Sequence, residues 1–250
     1  MPQQKPYKIL LIGDSCTDEY IYGTCERLNP EAPVPILKYA RKETRKGMAW
    51  NVRENLKSFG IEVYMITNEE NIVKTRYIDE KYNHQILRVD AEHSLKPMSC
   101  ELPNEKFDAL VISDYDKGFI TKDKLFNLVL NSKIPVFVDS KKDDLPESNC
   151  FIKINENESK LLKSQHDNLI ITKGSSGAEY AGVNYPGEQV GVFDVVGAGD
   201  TFLAALVYFF LICGKIEEAI PYANKAASIA VSNFGTYVLT EKDVNLLLGY

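Results

Sequence analysis

Ile9-Leu10-Leu11-Ile12-Gly13-Asp14 is an unbroken apolar run closed by Gly-Asp. Such a run suits a strand buried on both faces, with its carboxyl end at a ligand. Similar runs recur at 63–67, 109–114, 136–139 and 169–172, and helical patterns lie between them. Residues 48–59 place Val52, Leu56 and Phe59 on one face; 125–130 follow a Thr121 N-cap, and 156–162 follow Asn155. The C-terminal part reads as almost wholly helical, at 201–213, 216–233 and 241–248, with Pro221 marking a kink or restart. Strands alternating with helices specify an α/β fold, a doubly wound and mostly parallel sheet flanked by helices. Three strands end in Asp14, Asp114 and Asp139, on the side where such sheets bind ligands.

Two stretches break the alternation. Residues 20–39 carry Pro30, Pro33 and Pro35, while 73–90 alternate like a strand with Lys74, Arg76 and Arg88 inserted. Both read as strands of a small sheet outside the core, a lid built from segments about 15–40 and about 73–92. No linker, repeat or low-complexity tract divides the 250 residues, which read as one domain, 1–250. A net charge of −6 argues against a nucleic-acid partner or an anionic membrane surface. The longest apolar run, 202–213, is too short for a bilayer, and no apolar leader opens the chain. Five scattered cysteines and three histidines offer neither a zinc constellation nor a disulfide framework, so a reducing cytoplasm is the expected compartment.

The most informative chemistry lies in Asp194-Val195-Val196-Gly197-Ala198-Gly199-Asp200-Thr201-Phe202, directly ahead of an apolar helix. A Gly-Ala-Gly loop leaves its backbone N–H groups open, and the helix aims its positive end the same way, so the site suits an anion. A carboxylate beside bound phosphates would repel them. Asp200 makes sense there as a base that takes a proton from an attacking hydroxyl while Gly197, Ala198 and Gly199 stabilise the transferring phosphoryl group. The other reading is an Asp capping a core helix; the full nine-residue run favours the chemical one.

At this point the residues resemble the ribokinase/PfkB carbohydrate kinases over nearly the whole chain. The 194–202 run is close to that family's C-terminal signature. Gly13-Asp14, Asp18-Glu19-Tyr20, Tyr22-Gly23 and Asn29-Pro30-Glu31-Ala32-Pro33-Val34-Pro35 are similar to the D-glycero-β-D-manno-heptose-7-phosphate kinases of bacterial ADP-heptose synthesis. Ser113-Asp114-Tyr115-x-Lys117-Gly118 and Tyr222-Ala223-Asn224-Lys225-Ala226-Ala227 extend the likeness. It implies a ribokinase-like fold and a kinase that uses ATP and Mg²⁺ on a heptose 7-phosphate or close analogue. The alternatives are a kinase for another sugar, sugar phosphate or nucleoside, and a non-catalytic sugar or nucleotide binder.

By the same resemblance Asp200 would be the catalytic base, and Asp18, Gly47 and Asn51 would meet the sugar. Asn155 and Glu158 would position Mg²⁺ and the ATP phosphates, Glu158 through water; their spacing equally fits a capping box. Thr172, Lys173, Gly174 and Gly177 would form the nucleotide loop, with Asn224 and Gly235 beside the adenine. Lys74, Arg76 and Arg88 would grip a substrate phosphate, or else serve as charged edge-strand residues. A homodimer through the lid is expected, because exposed sheet edges need covering. Three departures stand out. Gly47-Met48-Ala49-Trp50 replaces Gly-Gly-Ala-Ala, Val196 replaces a threonine, and the stretch after Thr67 is short, which implies a trimmed sheet edge.

Overall fold

The computed structural model describes residues 6–249. In chain order its first elements are β1 (Lys8–Gly13), β2 (Ser15–Leu28), β3 (Pro35–Met48), α1 (Ala49–Ser58), β4 (Glu62–Thr67), β5 (Ile72–Asp79) and β6 (His84–Ala91). Then come β7 (Ala109–Asp114), α2 (Lys122–Leu130), β8 (Val136–Ser140), β9 (Phe151–Asn155), α3 (Glu156–Ser159) and β10 (Leu169–Thr172). The chain closes with β11 (Ala178–Tyr180), β12 (Val183–Tyr185), α4 (Ala198–Cys213), α5 (Ile216–Val231) and α6 (Glu241–Leu248).

Eight strands form the main sheet in the order β12-β11-β10-β9-β8-β7-β1-β4, parallel except for β11 and β12. Alternate residues of β1 serve opposite faces. Ile9 and Leu11 pack with Val52, Leu56, Leu203 and Leu206 of α1 and α4, whereas Leu10 and Ile12 pack with Leu125, Val138 and Ile154. A strand covered on both sides must be apolar at every position, which explains the unbroken run. The sequence pattern missed β9 because Lys153 interrupts Phe151-Ile152 and Ile154; that lysine is buried and pairs with Asp139 at 2.5 Å.

Some boundaries differ from the sequence reading. The helix after Asn155 is a single turn, α3, rather than 156–162. Helix α5 runs on through Pro221 without a restart, although as its sixth residue the proline gives up the N–H bond to residue 217. Tyr222 next to it stacks on Phe209 at 4.1 Å.

The second sheet has the order β3-β2-β5-β6, with β2 and β5 parallel. Cys16, Asp18, Tyr20 and Tyr22 of β2 face inward and are buried, the period-two pattern of a sheet covered on one side. It is made from the two stretches that broke the strand–helix alternation, and β3 runs on past 40 to Met48. Only residues 68–71 join β4 to β5. Asn68 braces them, accepting from the Ser15 N–H at 2.7 Å and donating to the Glu70 carbonyl at 2.6 Å. Strand β4 is therefore the sheet's edge, the trimmed edge the short segment implied. Replacing Leu56, fully buried between α1 and α4, by alanine should cost about 2–5 kcal/mol, read as a lower urea midpoint with unchanged slope.

Candidate active site

Gly197 caps α4 in the left-handed region, φ 80°, and a side chain there would press on the Asn51 amide at 2.6 Å. Only glycine lets the chain turn there and keeps Asn51 against it. Three positions on, Asp200 is 3% exposed. Asn51 Nδ2 donates to its Oδ2 at 3.0 Å, and the Tyr115 hydroxyl donates to its Oδ1 at 2.7 Å. Burial drives its carboxyl up to about 6, opposed by these two donors. Tyr115 in turn is raised well above the ordinary phenol, first by burial and then by Asp200.

Two cavities meet at this turn. One, of about 370 Å³, is lined by Asp18, Met48, Tyr115, Val196, Gly197, Asp200 and Thr236, with the charged groups Lys74, Arg76, Arg88, Asp90, Glu92, Lys117 and Lys141. The other, of about 200 Å³, is mostly apolar. Val190, Val192, Val195, Phe202, Ala227 and Val231 wall it, and Thr172, Gly174, Gly177, Ala198, Gly199 and Asn224 edge it. The residues expected at the sugar and those expected at the nucleotide thus fall mainly into separate spaces, on either side of α4's first turn.

Several residues sit elsewhere than expected. Asn51 is outside the lining of both cavities and holds the Asp200 carboxylate from behind, with a second contact to the Gly197 carbonyl at 3.4 Å. Gly47 also stays outside; a Cβ there would collide with the Asp18 carboxylate, so its lack of a side chain seats Asp18. Asp18 accepts from Arg76 at 2.6 Å on one oxygen and has only the Cys16 thiol, at 4.0 Å, near the other. Gly235 is not among the residues lining the apolar cavity. Its N–H donates to Asp194 at 3.0 Å, and the space a side chain would need is taken by Arg45 and Tyr20. Lys173 turns away to pair with Glu179. Asn224 does edge the apolar cavity, donating to the Tyr185 carbonyl at 2.8 Å and so fixing the loop that closes it. Gly177, φ 88°, passes so close to that loop that any side chain would strike the Tyr185 and Gly187 backbone.

Asn155 and Glu158 form the capping box. The Asn155 side chain accepts from the Asn157 and Glu158 N–H groups, and Glu158 accepts from the Asn155 N–H at 2.8 Å. Burial would raise Glu158, but that N–H and Lys141 at 2.8 Å outweigh it and hold its carboxyl below the ordinary range. Neither residue lines a cavity. Among the described residues no group of three or more His, Cys, Asp or Glu is placed to cage a metal ion.

Sequence reasoning missed Tyr115, Thr236, Lys141 and Lys153 as site residues. Tyr115 stands in the sequence only as one letter of a motif. Its position depends on Asp14, which accepts from the Tyr115 and Lys117 N–H groups at 2.8 and 3.2 Å and carries a carboxyl raised to about 6 by burial and by Asp114. The Thr236 hydroxyl is buried, lines the charged cavity and has no partner. The Lys153 ammonium lies over α4's first turn, where a Cβ on Gly199 would meet it at 2.9 Å. Met48 lines the charged cavity, with φ 57°, but Trp50 lies outside it under the Lys46 ammonium at 3.9 Å.

Residues 150–243 match the family model described as pfkB family carbohydrate kinase. Those residues resemble a pfkB-family carbohydrate kinase domain. It is 30% identical over 295 residues to the bifunctional protein HldE of a Nitratiruptor species, covering 95% of this chain and 64% of that protein. To the bifunctional protein HldE of Campylobacter jejuni subsp. jejuni serotype O:2 it is 32% identical, covering 94% and 63%. The chain therefore spans a little under two thirds of these curated relatives. An alignment of 295 residues exceeds the 250 here, so that relative carries segments without a counterpart in this chain. Ribokinase from Thermotoga maritima superposes with a TM-score of 0.72 at 15% identity, covering 98% of this chain and 100% of that one. Arabidopsis thaliana ribokinase complexed with ribose and ATP gives 0.70 at 14% identity, covering 98% and 100%. The fold is ribokinase-like. No helix among the described residues is long and apolar enough to cross a membrane.

The raised Asp200 carboxyl links stability to pH. The folded chain keeps this proton up to about 6, against 3.8 for an ordinary aspartate. Stability from that retention is complete below pH 3.8 and gone above pH 6, so the charged form costs the fold about 3 kcal/mol at neutral pH. Urea unfolding should show Asp200→Asn gaining on wild type by about 1 kcal/mol more at about pH 8 than at about pH 5.

Proposed function

We propose that this chain is an ATP-dependent sugar kinase that phosphorylates the anomeric hydroxyl of a heptose 7-phosphate, forming a heptose 1,7-bisphosphate. The observation that carries this reading is the Asp200 carboxylate, clamped at both oxygens where the two cavities meet at the head of α4. A site that only held anions would gain nothing from a carboxylate there. A base facing an acceptor cavity next to open helix N–H groups suits phosphoryl transfer to a hydroxyl.

The apolar cavity, with its glycine-bordered entrance, fits a purine and ribose, and its inner end reaches Ala198 and Gly199. The Ala198 N–H already donates to the Val195 carbonyl at 3.4 Å, whereas the Gly199 and Asp200 N–H groups have no carbonyl four residues back within the helix and can turn to the γ-phosphate. Lys153 adds a positive charge at the same turn. Asp18 and Thr236 line the other cavity, and the Asp18 carboxylate suits sugar hydroxyls. Its lysines and arginines suit an acceptor phosphate. Asp200, ionised above pH 6, takes the proton from the attacking oxygen as that oxygen bonds the γ-phosphorus and the bridging β–γ P–O bond breaks, releasing ADP. Mg²⁺ would enter with the triphosphate and keep most of its waters; with Asn155 and Glu158 committed to the capping box, it is read as part of the substrate complex. The heptose assignment rests on the motif resemblance and on the HldE relatives.

Met48 favours a second reading. A side chain at φ 57° lining the acceptor cavity narrows it, which suits a different sugar or sugar phosphate as acceptor. A homodimer through the small sheet fits that sheet's outer face, where Leu87 (53% exposed), Val89 (45%) and Tyr39 (64%) stand beside Ile21 and Tyr77. The unpaired cysteines are consistent with work in the cytoplasm.

ATP turnover with heptose 7-phosphate tests the reading directly. Asp200→Asn should lower kcat by about 10²–10⁴; unchanged turnover removes Asp200 as base. The acid limb of kcat/KM should fall near pH 6, and Tyr115→Phe should move it to higher pH, because it deletes a donor to the ionised carboxylate.

A further inference from the structure

The acceptor cavity is lined by charges that already neutralise one another, which bears on how an anionic substrate enters. Two of its ion pairs are built in. Arg76 and Asp18 meet at 2.6 Å and are almost wholly buried. Arg88 grips Asp90 through two bonds, 2.7 and 2.8 Å, with both residues on β6 and set by its ladder with β5.

Glu92 differs. It lies just beyond the end of β6, ahead of the next backbone anchor, where the Leu95 N–H donates to the Lys117 carbonyl at 2.9 Å. From there its carboxylate reaches two ammonium groups at once, Lys74 at 3.6 Å and Lys117 at hydrogen-bond contact. Lys74 has an 11% exposed side chain and the Lys117 backbone is anchored by its N–H bond to Asp14, while the anion between the two ammonium groups is on irregular backbone. One carboxylate bridging two lysines presents two oxygens much as a phosphate monoester would.

We propose that Glu92 is an internal stand-in for a substrate phosphate: Lys74 and Lys117 form an oxyanion subsite, and the acceptor's phosphate monoester enters by displacing the Glu92 carboxylate. This rests on the phosphorylated-acceptor reading above and adds Lys117 to the residues expected there. The exchange keeps both lysines paired and spares the buried Arg76–Asp18 pair. Glu92 thereby disfavours acceptors that lack a phosphate, since their binding offers nothing in return for breaking its ion pairs.

The test is calorimetric titration of the full chain with inorganic phosphate. Glu92→Gln should bind phosphate about three- to tenfold more tightly than wild type, as expected when one competing half-buried ion pair is lost. Adding Lys117→Ala should abolish that gain. Equal affinity in wild type and Glu92→Gln, or a gain that survives Lys117→Ala, overturns the inference. Should Glu92→Gln fail to unfold cooperatively, Glu92→Ser serves under the same criteria. Kinetics separate this inference from its parent. Turnover of heptose 7-phosphate with the same KM in Glu92→Gln sinks the stand-in and leaves the kinase reading intact. A phosphate-binding gain without turnover of any sugar phosphate supports the subsite and sinks the acceptor assignment.

Discussion

Two hydrogen bonds hold the Asp200 carboxylate, one from Asn51 across the α1–α4 contact and one from the Tyr115 hydroxyl. Taking a carboxylate out of water is costly, and two neutral donors offset only part of it, so the proton is retained up to about 6. Their geometry reaches far through the fold. Asn51 is held by Asn55, one turn along α1, which donates to it at 3.2 Å and also accepts from the Leu239 N–H at 3.0 Å. Tyr115 is presented by a loop whose N–H groups rest on the Asp14 carboxylate. Elements distant in the chain thus converge on one pair of oxygens.

The same turn divides the ligand space. Helix α4 points its first N–H groups between an apolar cavity, walled by α5 and the 185–195 loop, and a charged one roofed by the small sheet. The aspartates that end the parallel strands brace this arrangement instead of lining it. Asp114 accepts from the Ser140 hydroxyl at 2.6 Å, Asp139 pairs with Lys153, and Asp14 supports the Tyr115 loop. A carboxylate at a strand's carboxyl end is well placed to accept N–H groups from the loops that make the site. That gives it structural work one step away from chemistry.

The small sheet does the opposite. Its inward residues alternate with solvent-facing ones, so Asp18, Lys74 and Arg76 on adjacent strands all point into the charged cavity. Burying that many charges is tolerable because each has an opposite neighbour. The pairing also sets the terms on which an anion can enter, since any newcomer competes with a resident carboxylate.

Continuous apolar strands, the glycine turn ahead of an apolar helix, and the charged stretch at 73–90 are readable directly, because each follows from local sidedness or from backbone freedom that only glycine has. The nine-residue run points to Asp200 and the anion site for the same reason. The buried Lys153 hides β9, since a lysine inside a strand reads as a break until Asp139 is seen beside it. Asn155 and Glu158 carry spacing that serves a capping box and a nucleotide motif equally, and only their bonds decide. Asn51 is expected at the sugar and Gly235 at the nucleotide, yet both face elsewhere, because a side chain's partner depends on which distant element packs over it. By itself, the sequence determined the α/β architecture and singled out Asp200 at the head of its apolar helix. The tertiary structure decided which groups clamp that carboxylate, which cavity each charge faces and which carboxylate holds the lysines, because those contacts join residues far apart in the chain.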